Sequence, residues 1–164
     1  MIVVSDTTPL ISLMKIGRLG LAEQLFGEVQ IPDAVYVELT ANPQFVKEAQ
    51  QIQSSLFVKR VVIDDSESVD LLRKATGLAQ GESEAIILSD ICHADLLLMD
   101  EIKGRQVAKQ MGLHLMGTVG MLRVAYEEHL LSHEEIVKCI EVLRMNGRHI
   151  SDSLYRQLLE SIQS

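Results

Sequence analysis

Apolar and polar positions alternate along the chain in short blocks that fit strands and amphipathic helices. Residues 2–5 are an apolar run of strand length, and Asp6 stands at its end. Thr7-Thr8-Pro9 opens a helix, with Thr8 as N-cap and Pro9 at the first helical position. Leu10, Ile11, Leu13 and Met14 form its apolar side, and Gly17 ends it. Residues 19–26 form a second helix closed by Gly27, and residues 29–31 a second strand. Pro32-Asp33 starts a third helix that runs to about Thr40 and is stopped by Asn42-Pro43. Residues 44–53 are a polar helix, 57–63 a third strand, 66–74 a helix and 76–81 a loop.

The central stretch is Gly81 to Glu101. It reads as a helix opened by the carboxylates of Glu82 and Glu84 and apolar over 85–92. A continuous apolar run over 96–99 follows, ending at Asp100. Such a run suits a strand buried on both faces, as in parallel sheets. Beyond it, residues 106–110 are helical up to Gly112, residues 113–116 are a last strand, and Thr118 caps a helix through Tyr126. Ser132-His133-Glu134-Glu135 has the capping-box pattern for a helix to about Met145. Residues 151–162 complete the chain's helices. Strands alternating with helices predict a three-layer α/β/α sandwich with a mostly parallel central sheet. Residues 1–130 are expected to form the main domain, with a helical extension over 131–164 packed on it.

Composition narrows the function. A hydrophobic fraction of 47% with 23% charged residues is that of a soluble globular protein. No apolar run reaches the roughly 18 residues of a membrane span, and the N-terminus lacks a signal-peptide pattern, so a cytoplasmic location is expected. Cys92 and Cys139 have no clustered spacing, which argues against a disulfide framework or a cysteine zinc site. A net charge of −8 argues against a broadly basic nucleic-acid face, although cations in an acidic pocket would offset its charge locally.

The acids carry the chemical signal. In open parallel sheets, sites form beyond the carboxyl ends of the strands, where both Asp6 and Asp100 fall. Glu38 lies one turn beyond Ala34 and Val35 and is expected to face inward with them. Glu82 and Glu84 are about 200° apart on a helix and cannot both face one site. Glu82 is favoured, with Glu84 as the alternative ligand or a supporting group. Each acid alone has a structural explanation, such as capping or helix-dipole stabilisation. Together they would repel unless protonated or bound to cations, and Mg²⁺ or Mn²⁺ suits carboxylate oxygens.

The segments Val3-Val4-Ser5-Asp6-Thr7-Thr8-Pro9-Leu10, Ile31-Pro32 through Leu39, Gly81-Glu82-Ser83-Glu84-Ala85-Ile86, Leu97-Leu98-Met99-Asp100 and Gly104-Arg105 together resemble the PIN-domain superfamily of metal-dependent ribonucleases. The likeness covers roughly residues 1–130 and leans toward a prokaryotic branch with a Gly-Glu-x-Glu-Ala motif, related to VapC-type toxins. It implies a PIN-like fold and a catalytic, metal-binding quartet of Asp6, Glu38, Glu82 and Asp100. It also implies Mg²⁺ or Mn²⁺ as cofactor and single-stranded RNA as substrate. Thr7, Thr8, Lys103 and Arg105 would lie near substrate. An antitoxin is the protein partner it implies; the apolar stripes of the helices beyond residue 130 separately offer a surface for a second copy of the chain. Three positions depart from the family pattern. Glu82 stands where VapC-type toxins usually carry aspartate, Leu98 where many relatives have a hydroxyl, and Lys103 replaces a frequent fifth acid. The competing expectation is a PIN fold that binds RNA or protein without cleaving.

Other chemistries fit less well. His129 and His133 are spaced i,i+4, but Ser132 should break the helix between them. His93, His114 and His149 are isolated. Ser5 and Ser12 have no nucleophile-elbow context, and no phosphate-binding glycine loop or strand-end Asp-x-Asp is present.

Overall fold

A computed structural model describes residues 1–148 and 150–162. His149 therefore lies outside the described residues. Five parallel strands, β1 (Val3–Ser5), β2 (Val29–Pro32), β3 (Val58–Val61), β4 (Leu96–Leu98) and β5 (Leu115–Met116), form one sheet in the order β3-β2-β1-β4-β5. Among the described residues the helices are α1 (Thr7–Lys15), α2 (Gly20–Phe26), α3 (Asp33–Ala41), α4 (Val46–Ser54), α5 (Ser66–Thr76), α6 (Gln80–Ile91), α7 (Ile102–Gln110), α8 (Thr118–Glu127), α9 (His133–Met145) and α10 (Asp152–Ser161). None is long and apolar enough to cross a membrane. The fold is the α/β sandwich expected, and its sheet is entirely parallel.

Strand periodicity sorts the core into two layers. Val3, Val29, Ile31 and Leu98 turn toward one face, where they join Leu10, Leu13, Met121 and Leu122. Val4, Leu97 and Met99 turn to the other, against Ala85, Ile86, Leu88 and Ala108. Successive side chains point to opposite faces, so apolar runs in β1 and β4 are what a two-sided sheet requires. Ile136, Ile140 and Leu143 of α9 and Leu158 of α10 are buried in the first layer, continuous with α1 and α8.

Several boundaries differ from the sequence reading for identifiable reasons. β3 stops at Val61, paired with Pro32, because its partner turns into α3 at Asp33; Val62 is 68% exposed. β5 has only Leu97 and Leu98 to pair with and shrinks to two residues. Residues 43–45 form a separate 3₁₀ turn before α4. Asp6, not Thr8, occupies the N-cap position of α1, which leaves Pro9 third in the helix. Proline is tolerated there because the first N–H groups of a helix have no internal partner. Helix α6 begins at Gln80 and α7 at Ile102, both earlier than their apolar stripes suggested. At Ser132 the capping box with Glu135 is present, and His129 is in the left-handed region at φ 61, so the two histidines do not share a helix.

Candidate active site

β1 and β4 are neighbours in register, Ser5 opposite Leu98, and the Asp6 N–H donates to Leu98 O at 2.9 Å. The two strand-end aspartates therefore leave the sheet side by side. Asp6 is 4% exposed. Burial, and then the charges of Glu82, Glu38 and Asp100, push its carboxyl up to about 7, against the pull of the Thr7 backbone. Those charges show that Glu82, Glu38 and Asp100 all act on Asp6.

Asp100 is half-buried and firmly held. Its Oδ1 accepts the Thr118 N–H at 2.7 Å and its Oδ2 accepts the Thr118 hydroxyl at 2.6 Å. Thr118 is thus the first residue of α8 and a clamp on Asp100; Gly117, not Thr118, is at the N-cap position. Pairwise spacing gave no sign of this bond, which joins two different loops.

The helix-borne acids are held less firmly. Glu38 is exposed, contrary to the inward orientation expected for it, and is tethered by the Thr7 hydroxyl, which donates to Oε2 at 2.9 Å. Glu82 is half-buried. Its Oε1 accepts the Ala79 N–H at a long 3.4 Å, while its Oε2 is buried without any partner. Desolvation is the main cause that raises its pKa; Glu101 and Glu38 add to it, and Ala79 and Lys103 oppose.

Glu84 has a different task. Its Oε1 accepts the Ala34 N–H at 3.1 Å in the first turn of α3, and its Oε2 accepts from Gln80 at 2.6 Å. The separation of the two glutamates by helical geometry thus holds: Glu82 turns to the acids and Glu84 to a neighbouring helix. Glu84 ties α6 to the helix that carries Glu38.

Three glycines went unread as site residues. A Cβ on Gly81 would strike Glu38 Oε1; one on Gly104 would lie 2.9 Å from Glu82 Oε2; one on Gly117 would lie 2.8 Å from Asp100 Oδ1. Each of these three carboxylates rests in space that only glycine leaves open. Close approach, not backbone conformation, is the reason for the glycines here.

The remaining expected residues divide. Thr7 is buried and bonded to Glu38, whereas Thr8 lines a cavity shared with Asp100. Arg105 donates to Met99 O at 2.8 Å, bracing the β4–α7 connection. Lys103 is exposed beside Gly77 and acts electrostatically on Glu82. Leu98 is wholly buried in the larger core layer, so its lack of a hydroxyl does not open toward the acids. The hydroxyl at this edge comes from Thr118 instead.

Among the described residues no three His, Cys, Asp or Glu side chains are drawn together as a preformed ligand group. The donor chemistry nevertheless suits a hard divalent cation: every donor is a carboxylate oxygen, one of them buried without a partner, and Asp6 is pushed toward its protonated form first by burial and then by the neighbouring charges.

A sequence profile described as a PIN domain matches residues 2–164. The match runs through α9 and α10 as well as the sheet. No curated protein matches the chain.

Proposed function

We propose, since the chain belongs to the PIN-domain family and that family is of nuclease type, that this protein is a metal-dependent endoribonuclease. The observation that carries the proposal is Asp6, buried at the end of β1 beside the β4 end that leads to Asp100 and acted on by the charges of Glu82, Glu38 and Asp100.

PIN domains typically use divalent metals, and Asp6, Glu38, Glu82 and Asp100 would hold Mg²⁺ or Mn²⁺ here. A bound ion would supply an activated water and neutralise charge on the scissile phosphate. The chain's own residues perform the preparation. Thr118 fixes both oxygens of Asp100 and so sets the orientation of its carboxylate. The raised pKa of Asp6, caused first by burial and then by the neighbouring acids, favours its neutral form in the metal-free protein, and a bound cation would favour the carboxylate. Burial of Asp6 and of Glu82 Oε2 keeps water from competing for these oxygens. Lys103, with its ammonium exposed at the cleft margin, is the residue suited to meet a backbone phosphate; Arg105 acts by bracing the chain behind Asp100.

The test is metal-dependent cleavage of single-stranded RNA by purified protein, lost on chelation and lost in Asp6→Asn and Asp100→Asn. Cleavage that persists in both variants assigns the activity to a contaminant. If the nuclease is the toxin of a toxin–antitoxin pair, expression should arrest growth and a neighbouring gene product should relieve the arrest. A protein that binds RNA without cutting is the alternative, and Lys103 favours it by putting a built-in cation beside Glu82. RNA binding unaffected by metal, with no cleavage, would select that alternative.

A further inference from the structure

A sizeable cavity lies beside one of the four acids, Asp100. It has a volume of about 640 Å³ and runs from Asp100 between β5, α8 and α10. Its walls are apolar: Leu115 and Met116 from β5, Val119 and Val124 from α8, and Leu154 and Leu158 from α10. Leu154 is 40% exposed, and its side chain borders this cavity and a second one that also reaches Asp100.

Polar groups share the lining, with Arg105 and Glu127 among them. Gln157 and Ser161 project from α10, and Arg123 from α8. Arg123 uses Nε on Glu127 at 3.1 Å, leaving its terminal nitrogens to act outward. Met116 offers a polarisable thioether to a flat ring, a contact favourable to π systems. Apolar faces with hydrogen-bonding groups at the margin match a nucleobase, whose faces are apolar and whose edge is polar. A guanidinium beside the mouth matches the next phosphate.

Continuity with Asp100 decides the occupant. On the nuclease reading a phosphodiester lies at Asp100, which lines the cavity, and what adjoins a phosphodiester is a ribose and its base. We infer that this cavity is a nucleoside subsite, receiving the base and ribose next to the scissile bond. The inference rests on the nuclease reading above and adds the feature that the substrate is selected by an unpaired nucleotide. A base in a duplex is stacked on both faces and paired at its edge, so it cannot enter. Helix α10 thereby becomes part of the substrate site, with Leu154 against the base and Gln157 at its edge.

Two measurements test this independently of each other. In the first, amide chemical shifts of the metal-free protein are followed as each of the four nucleoside 5′-monophosphates is added. Shifts are expected at Gly117, Gly120, Leu154 and Gln157; no shift there with any of the four overturns the subsite. In the second, Leu154→Trp fills the cavity and Gln157→Ala removes the edge group. With Mn²⁺ present, Leu154→Trp is expected to raise KM for single-stranded RNA roughly tenfold with kcat nearly unchanged, the loss of about one stacked base. Gln157→Ala, at an exposed position that folding tolerates, should raise KM less and alter the preference among bases. An unchanged KM in both variants, or equal cleavage of a duplex of the same sequence, overturns the inference. If the wild-type protein cleaves no RNA yet the nucleotide shifts appear, the nuclease reading falls and the subsite stands. Cleavage without those shifts gives the reverse result.

Discussion

The two strand-end aspartates and the two helix-borne glutamates form unlike halves of one site. Asp6 is locked in the sheet by its own backbone and buried, and Asp100 is gripped twice by Thr118. Glu38 is exposed with one hydroxyl tether, and Glu82 has one long bond and one oxygen with no bond at all. A sheet fixes the exit points of adjacent strands within a lattice of hydrogen bonds, whereas a glutamate on a helix reaches its target through a longer side chain with an additional rotatable bond. The rigid half defines where a cation would sit, and the adaptable half would close on it. That division also fits four acids that act on one another electrostatically without forming, among the described residues, a ready ligand group.

The comparison is broken most severely at the rigid half. Asp6→Asn and Asp100→Asn should each lower kcat by about a thousandfold or more, as expected for loss of several kcal/mol of metal-borne stabilisation. If Glu38→Gln were the more damaging substitution in a single-turnover cleavage assay, the roles of the halves would be reversed.

Stability against pH probes the same half without RNA. Asp6 has a carboxyl raised from 3.8 to about 7, so the folded chain holds that proton more tightly than the unfolded one. The contribution of Asp6 to the stability of the metal-free fold, about 4 kcal/mol in all, is then full below about pH 4 and is lost as pH rises toward and through 7. Glu82, also raised, contributes with the same sign. Melting in EDTA should give a lower Tm at pH 8 than at pH 5. Mn²⁺ should restore the difference, and Asp6→Asn should flatten the EDTA profile. A Tm in EDTA that rises between pH 5 and pH 8 contradicts the assignment.

Thr118→Val keeps the shape of the clamp and removes its hydroxyl. Metal affinity should fall by about 10–100-fold, the usual cost of losing a group that orients a ligand, with little change in Tm. Calorimetric titration with Mn²⁺ measures it. The smallest effect is expected at Glu84→Gln, which should cost about 1 kcal/mol in denaturant unfolding by weakening the bond to Ala34. Glu82→Gln should instead impair metal binding and leave stability equal or higher, since its orphaned oxygen would no longer carry charge. Similar unfolding losses for both variants would erase the distinction between the two glutamates.

Much of this was legible in the chain itself, and the reason is local. An apolar run ending in an acid specifies both a buried strand and the edge where its carboxylate emerges, so Asp6 and Asp100 could be read directly. The helical angle between Glu82 and Glu84 separated their roles for the same reason. Contacts between distant segments were not legible. Thr118 resembled an ordinary helix start because its partner belongs to another loop, 18 residues away. Glu38 sits on a helix whose inward stripe holds Val35 and Leu39, but the open cleft beside Gly81 leaves it exposed. Leu98 drew attention as a missing hydroxyl, although strand alternation turns it into the core.

The bond from Glu84 to Ala34 carries a consequence for cost as well as for shape. Helix α3 packs on α6, and this bond yokes the two where α3 begins. Glu38 rides on one member of the pair and Glu82 on the other. If the helices shift as a single body, gathering both glutamates onto an ion freezes one collective coordinate, not two independent ones. The entropic penalty of closing the site is correspondingly smaller, and a carboxylate that never touches the ion would tune how tightly it is held.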